Sequence, residues 1–253
     1  MKQLKLSAPD WCFFPEGADP AVFYKKLKQM GYDGAEMVAP ERQNDALNAG
    51  LEIINISGPG MTDGFNRKEN RETLTSEILS LTEQAIRNRI PYIIVFSGNA
   101  CGMSYEEGFG NCLEAFGALL EKMRGSGVKL LFEMLNGEDH KDYQADSEQF
   151  GFELARQLNS PDFKILYDIY HMRKSGCDPM KNLEEKLPYI AHFHVAGLEG
   201  RAFPSKNGAI DYKAFFKAVP DDKYHGYIGM EFLTGNPELE LDLAAKLFRE
   251  YLE

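Results

Sequence analysis

Four short apolar runs in the second half of the chain carry an ionisable residue at or near their ends. They are Leu131-Phe132-Glu133-Met134, Leu166-Tyr167-Asp168-Ile169, Ala191-His192-Phe193-His194-Val195 and Gly229-Met230-Glu231-Phe232. A charged group in a strand packed on both faces is costly unless it is paired or bound to a metal. Glu133, Asp168, His194 and Glu231 together offer three carboxylates and one imidazole. That donor set suits a borderline-hard divalent ion such as Mn²⁺, Mg²⁺ or Co²⁺. Structural zinc would more commonly take thiolates, and Cys12, Cys101, Cys112 and Cys177 show no CxxC spacing. At any one of the four positions a helix cap or an ion-pair partner is the competing explanation. Four in consecutive units favour a joint site.

The elements that must position these groups read as strict alternation. Strands are expected at 5–8, 34–38, 51–57, 92–97, 129–135, 164–169, 190–196 and 227–232. Helices are expected at 20–30, 42–49, 67–88, 105–124, 147–158, 179–187, 211–218 and 237–251. Asp19 before Pro20 is an N-cap followed by proline at the first helical position. Gly31, Gly50 and Gly127 fall where helices should stop. Alternation implies a parallel sheet with helical crossovers. Eight units of about 32 residues point to an α/β fold, a (β/α)₈ TIM barrel forming a single domain over residues 1–253. A doubly wound open sheet is the alternative, but the GxGxxG that often follows its first strand is absent.

In such a barrel, functional groups stand at the C-terminal ends of strands. Side chains two apart share a face, so His192 and His194 point the same way, with His194 nearer the mouth. His192 reads as a hydrogen-bonded core histidine, and His140 and His225 as solvent-facing loop residues. Trp11, Phe13 and Phe14 follow the first strand and would form an apolar wall or simple packing. The Gly-rich segments 56–60 and 97–102 read as tight turns in preference to phosphate cradles. Glu138 and Asp139 either help hold a substrate or solvate their loop.

The segments 166–172, 192–195, 208–212 and 229–232, with Glu133-Met134-Leu135-Asn136-Gly137, resemble the xylose-isomerase-like barrel superfamily. Within it they are most similar to hydroxypyruvate isomerases and ketose 3-epimerases. The likeness covers the second half of the chain. It implies that Glu133, Asp168, His194 and Glu231 are metal ligands, and that Glu133 and Glu231 are the catalytic pair that moves a proton. It also implies substrate contacts from His171 and Arg201. Departures are His194 where hydroxypyruvate isomerases tend to have glutamine, Met134 in place of proline, and a Phe203-Pro204-Ser205-Lys206 stretch that is not Gly-rich. They bear on the substrate more than on the metal. The implied activity is isomerisation of a small hydroxy-carbonyl compound, hydroxypyruvate, a ketose or a relative, through a metal-stabilised enediolate. A ketose 3-epimerase and an inosose dehydratase-type lyase would begin with the same proton abstraction.

The charge balance narrows the partners. Lys plus Arg number 28 against 39 Asp plus Glu, a net charge of −11. Nucleic-acid affinity rests on basic surface, so an endonuclease IV-like role is disfavoured. That role would also need about five histidine ligands where the chain has 5 histidines in all, two of them in poorly placed loops. A sugar-binding barrel with a decayed metal site is disfavoured by the intact ligand set. No apolar run reads as a signal peptide or a membrane span, so a cytoplasmic protein with a small-molecule substrate is expected. Self-association into a homo-oligomer is compatible with the pattern.

Overall fold

Apolar runs rich in Ile, Val, Leu and Phe are buried on both faces only where helices cover a parallel sheet. The strands of this chain take that form. The computed structural model describes residues 4–252. Its strands are β1 (Lys5–Pro9), β2 (Gly34–Glu36), β3 (Glu52–Ile53), β4 (Asn55–Ser57), β5 (Tyr92–Val95), β6 (Lys129–Glu133), β7 (Phe163–Asp168), β8 (Ile190–Val195) and β9 (Tyr227–Met230). The described residues divide into two compact units. The first is drawn from Met1–Ile54, Pro179–Pro188 and His192–Glu253, the second from Asn55–Asp178 and Tyr189–Ala191.

In the first unit β1 pairs in parallel with both β2 and β9, β2 with β3, and β9 with β8. The β8–β9 register sets His194 opposite Gly229. One face of β8 is helix-facing: the Phe193 ring lies 5.5 Å from Phe215 and 5.8 Å from Phe216. His192 and His194 occupy the other face, with ring centroids 4.9 Å apart. Helix Pro20–Gln29 starts as its sequence predicts, Asp19 Oδ1 accepting from the N–H groups of Ala21 and Val22.

In the second unit β5 pairs in parallel with β4 and β6, and β6 with β7. Phe116 on helix Tyr105–Met123 packs 5.7 Å from Phe132 and 5.3 Å from Phe163. Phe132 therefore faces the helices, and Glu133 takes the opposite face at the strand's end. The Gly-rich loops after β4 and β5 lie against each other. Asn66 N donates to Ser97 O at 2.9 Å and Asn99 N to Thr62 O at 2.8 Å. A Cβ on Gly64 would sit 2.2 Å from Ser97 O, so backbone meets backbone there. The loop after β5 turns tightly as its glycines predict: Gly98 and Gly102 take φ 96° and 81°, and Met103 N donates to Ala100 O at 3.0 Å.

Three expectations change. The single strand expected at 51–57 is two, β3 and β4, interrupted at Ile54, and they pair with β2 and β5 respectively. The helix expected at 179–187 shrinks to Leu183–Lys186 followed by a 3₁₀ turn at Leu187–Tyr189. Short helices Asp10–Phe13 and Ile169–Lys174 follow β1 and β7 directly, where loops were expected. Among the described residues no helix is long and apolar enough to cross a membrane.

Candidate metal and proton-transfer residues

Glu231 follows the last residue of β9 and is almost wholly buried. Its carboxylate is gripped from three sides. Oε2 lies 2.8 Å from His194 Nδ1 and also meets the Arg201 guanidinium, while Oε1 accepts from the Trp11 indole N–H at 3.0 Å. Arg201 Nε also donates to the Glu231 carbonyl at 3.3 Å. The Arg201 guanidinium sits 5.3 Å from the Trp11 ring centre. Trp11 thus contributes a polar hydrogen and not only the apolar wall. Arg201 is in the left-handed region, φ 52°, and its carbonyl accepts from Leu233 N at 2.7 Å. This backbone bond fixes the loop that delivers the guanidinium to Glu231.

The other ring nitrogen of His194 meets a residue that spacing alone does not single out. Glu36, at the end of β2, is fully buried. Its Oε2 lies 2.8 Å from His194 Nε2 and 3.0 Å from His192 Nε2, and Ser7 Oγ donates to Oε1 at 2.7 Å. Burial pushes the Glu36 carboxyl up, but the imidazoles of His192 and His194 outweigh it and hold the group well below the usual carboxylate range. Burial pushes His194 down, and Glu231 and Glu36 more than reverse this, raising it well above an ordinary imidazole. The signal for Glu36 was available: Gly34-Ala35-Glu36 is a small apolar run closing on an acid, as at the other strand ends. His192 is the buried, paired histidine its position predicts.

Nearby, Asp10 is buried with its Oδ2 accepting from Tyr24 OH at 2.7 Å and from Arg42 Nη2 at 3.0 Å. Asp10 is the first residue of the short helix Asp10–Phe13 that carries Trp11, so these bonds anchor that helix.

In the second unit Glu133 and Asp168 close β6 and β7, both buried. Tyr143 OH donates to the Glu133 carbonyl at 2.9 Å and accepts from Ser97 N at 3.0 Å, tying the strand end to the loop after β5. Asp168 caps helix Ile169–Lys174, Oδ1 accepting from Tyr170 N at 2.8 Å and His171 N at 3.2 Å. The helix-cap explanation for this aspartate is therefore met by one oxygen, and Oδ2 stands 3.5 Å from His171 Nε2.

His171 is fully buried. Asn136 N donates to its Nδ1 at 3.3 Å, which makes Nδ1 the acceptor and leaves Nε2 to carry the hydrogen toward Asp168. Asn136 is held in turn: its Oδ1 accepts from Asp139 N at 2.8 Å and its Nδ2 donates to Asp139 Oδ2 at 2.9 Å. Asp139 Oδ2 also accepts from Tyr170 OH at 2.6 Å, so Asp139 braces the loop after β6. His140 is not fully solvent-facing; its ring centre lies 5.2 Å from that of His171, because the turn folds back over the short helix after β7. His225 is exposed as expected. The four cysteines are free thiols.

The donor types within each unit fit a hard divalent ion. In the first, His194 Nδ1 and Glu231 Oε2 lie side by side while the far nitrogen is braced by a carboxylate, the arrangement metal-bound histidines usually show. In the second, two buried carboxylates end neighbouring strands.

Comparison with known proteins agrees with this architecture. The family model described as "Xylose isomerase-like TIM barrel" matches residues 24–251. A human protein named "Putative hydroxypyruvate isomerase" is 28% identical over 255 residues, spanning 92% of this chain and 90% of that one. Among solved structures, an AP endonuclease, family 2, from Brucella melitensis superposes with a TM-score of 0.82 at 18% identity, covering 96% of this chain and 99% of its own. A D-psicose 3-epimerase from Clostridium cellulolyticum H10 also reaches 0.82, at 16% identity, covering 99% and 100%. At those identities the structures share the fold. The matched region runs through both units, the fold is the (β/α)₈ barrel, and the chain belongs to the xylose isomerase-like TIM barrel family.

Proposed function

We propose that the protein is a divalent-metal-dependent isomerase of a small hydroxy-carbonyl compound, with hydroxypyruvate the first substrate to test. The observation that carries this reading is the buried Glu231 carboxylate at the end of β9, held against His194 Nδ1, Arg201 and Trp11. The naming of a relative matched over nearly its whole length supports the substrate class. The reading takes residues 1–253 as one barrel domain, with Glu133, Asp168, His194 and Glu231 as the metal set and Mn²⁺, Mg²⁺ or Co²⁺ as the ion. Four free thiols and the lack of a membrane-crossing helix among the described residues support a cytoplasmic enzyme. The net charge of −11 supports a small-molecule partner over nucleic acid.

A bound divalent ion supplies Lewis-acid polarisation of the substrate's carbonyl and hydroxyl oxygens. The chain's own groups do the rest. A glutamate, Glu133 or Glu231, accepts the hydrogen from the hydroxymethyl carbon. A glutamate returns it to the former carbonyl carbon. The hydroxyl proton passes to the second oxygen, so a hydroxy-ketone becomes a hydroxy-aldehyde with no net loss of atoms. Positioned carboxylates of this kind contribute about 10²–10⁴-fold. Arg201 supplies the cation for the substrate's carboxylate, and His171 a contact to a substrate oxygen. On a ketose, taking the hydrogen from the secondary CHOH carbon beside the carbonyl and returning it to that carbon from the opposite face would make the enzyme an epimerase.

The test is exchange of substrate hydrogen in D₂O with hydroxypyruvate and with free ketoses, each with Mn²⁺, Mg²⁺ or Co²⁺, before and after chelation. Deuterium at the neighbouring carbon of an isomerised product, lost on chelation and restored by the ion, is expected. Deuterium retained on the same carbon with inverted configuration assigns epimerisation instead. No exchange with any compound, or exchange that survives chelation, overturns the reading.

A further inference from the structure

We propose that Glu36 is a positioning residue that fixes which nitrogen of His194 is the metal donor, an inference that rests on the metal reading above. Glu36 Oε2 lies 2.8 Å from His194 Nε2, and Glu231 Oε2 lies 2.8 Å from Nδ1 on the other side of the ring. A hydrogen kept on Nε2 for Glu36 leaves the Nδ1 lone pair for the ion. Imidazole offers one lone pair in its neutral form, and the partner of one nitrogen decides the role of the other.

Glu36 is built for this task. Its carboxylate is fully buried, so its direction is set entirely by what surrounds it. Ser7 Oγ holds Oε1 at 2.7 Å, leaving Oε2 for the imidazoles. His192 Nε2 lies 3.0 Å from the same Oε2, one layer deeper in β8. Space for the carboxylate comes from Gly229: a Cβ there would lie 2.3 Å from Glu36 Oε1 and 2.6 Å from His194 Cδ2. Three strands thus spend a serine, a glycine and two histidines on one acid that a metal set of Glu133, Asp168, His194 and Glu231 does not itself require. An acid with that many dedicated neighbours orients His194.

The experiment uses the whole chain and Zn²⁺ as a diamagnetic probe. Long-range ¹H–¹⁵N spectra of the imidazoles are recorded for the wild type, Glu36→Gln, Glu36→Ala and Ser7→Ala, with ion affinity by calorimetry. In the wild type, His194 should keep Nε2–H and show the ion-induced shift at Nδ1. Glu36→Ala should lose the single tautomer and bind Zn²⁺ about 10- to 100-fold more weakly. Glu36→Gln, which keeps an acceptor without the charge, should retain the tautomer and fall between, and Ser7→Ala should weaken binding least. Should Glu36→Ala fail to fold, the Glu36→Gln and Ser7→Ala series carries the test. An ion-induced shift at Nε2 in the wild type, or unchanged tautomer and affinity across the variants, overturns the proposal alone. A wild type that takes up no ion overturns the metal reading and this proposal with it.

Discussion

Gly229 stands directly opposite His194 in the parallel register of β8 and β9, and the absence of its side chain is what lets Glu36 reach the imidazole. Gly229→Ala should therefore act at a distance from its own strand. Its methyl would enter the space of Glu36 Oε1, His194 Cδ2 and His192 Nε2, at 2.3, 2.6 and 2.9 Å. Overpacking of this kind costs about 1–3 kcal/mol. Urea denaturation should show the loss, with weaker Zn²⁺ binding alongside it. A variant with the wild-type midpoint and affinity would show that the neighbours yield without consequence.

Glu133→Gln and Glu231→Gln keep side-chain volume and remove the proton acceptor. Each should lower isomerisation on the order of 10²–10⁴-fold. Steady-state rates with saturating ion make the comparison, since Gln also weakens a ligand. Turnover near wild type in either variant removes that glutamate from the proton pathway.

Tyr143→Phe tests how β6 is anchored. The hydroxyl serves Glu133 O and Ser97 N together, both buried. Phenylalanine fills the ring's space but leaves a donor and an acceptor without their partner. The expected loss is about 1–3 kcal/mol, read from a chemical unfolding midpoint. An unchanged midpoint would mean that another group takes over both bonds.

Asp10 gives a pH signature. Burial raises its carboxyl above the ordinary range, and the bonds from Tyr24 and Arg42 reverse this only in part. A raised folded-state value means the contribution to stability is complete below the unfolded value of about 3.9 and is lost as pH rises through the folded value. Asp10→Asn does not titrate. The wild-type stability minus that of Asp10→Asn should therefore fall as pH rises from about 4, by no more than about 1.4 kcal/mol per unit. Urea titrations across pH 3.5 to 7 measure it, the two ends being about the range that brackets a shifted carboxyl. A difference that is flat or grows with pH contradicts the burial argument.

The groups that carry the proposed chemistry were legible in the chain because their signal is local. An acid or histidine closing a run such as Leu130-Leu131-Phe132 announces a buried strand end by itself, and period-2 alternation tells which face it takes. The repeated strand-then-helix spacing likewise points to a parallel barrel before any contact is known. What the sequence could not decide was who meets whom. Glu36 lies 158 residues from His194, and the β1–β2, β1–β9 and β8–β9 pairings jointly bring their side chains together. The run 51–57 reads as one strand because its apolar pattern is continuous, yet its two halves pair with different neighbours. Pairing partners and hydrogen-bond direction are properties of tertiary packing, where the cost of burying a charge forces each acid to find its donor. The sequence by itself determined the donor types and the strand ends that bear them; the tertiary structure decided which nitrogen of His194 faces Glu36 and which faces Glu231.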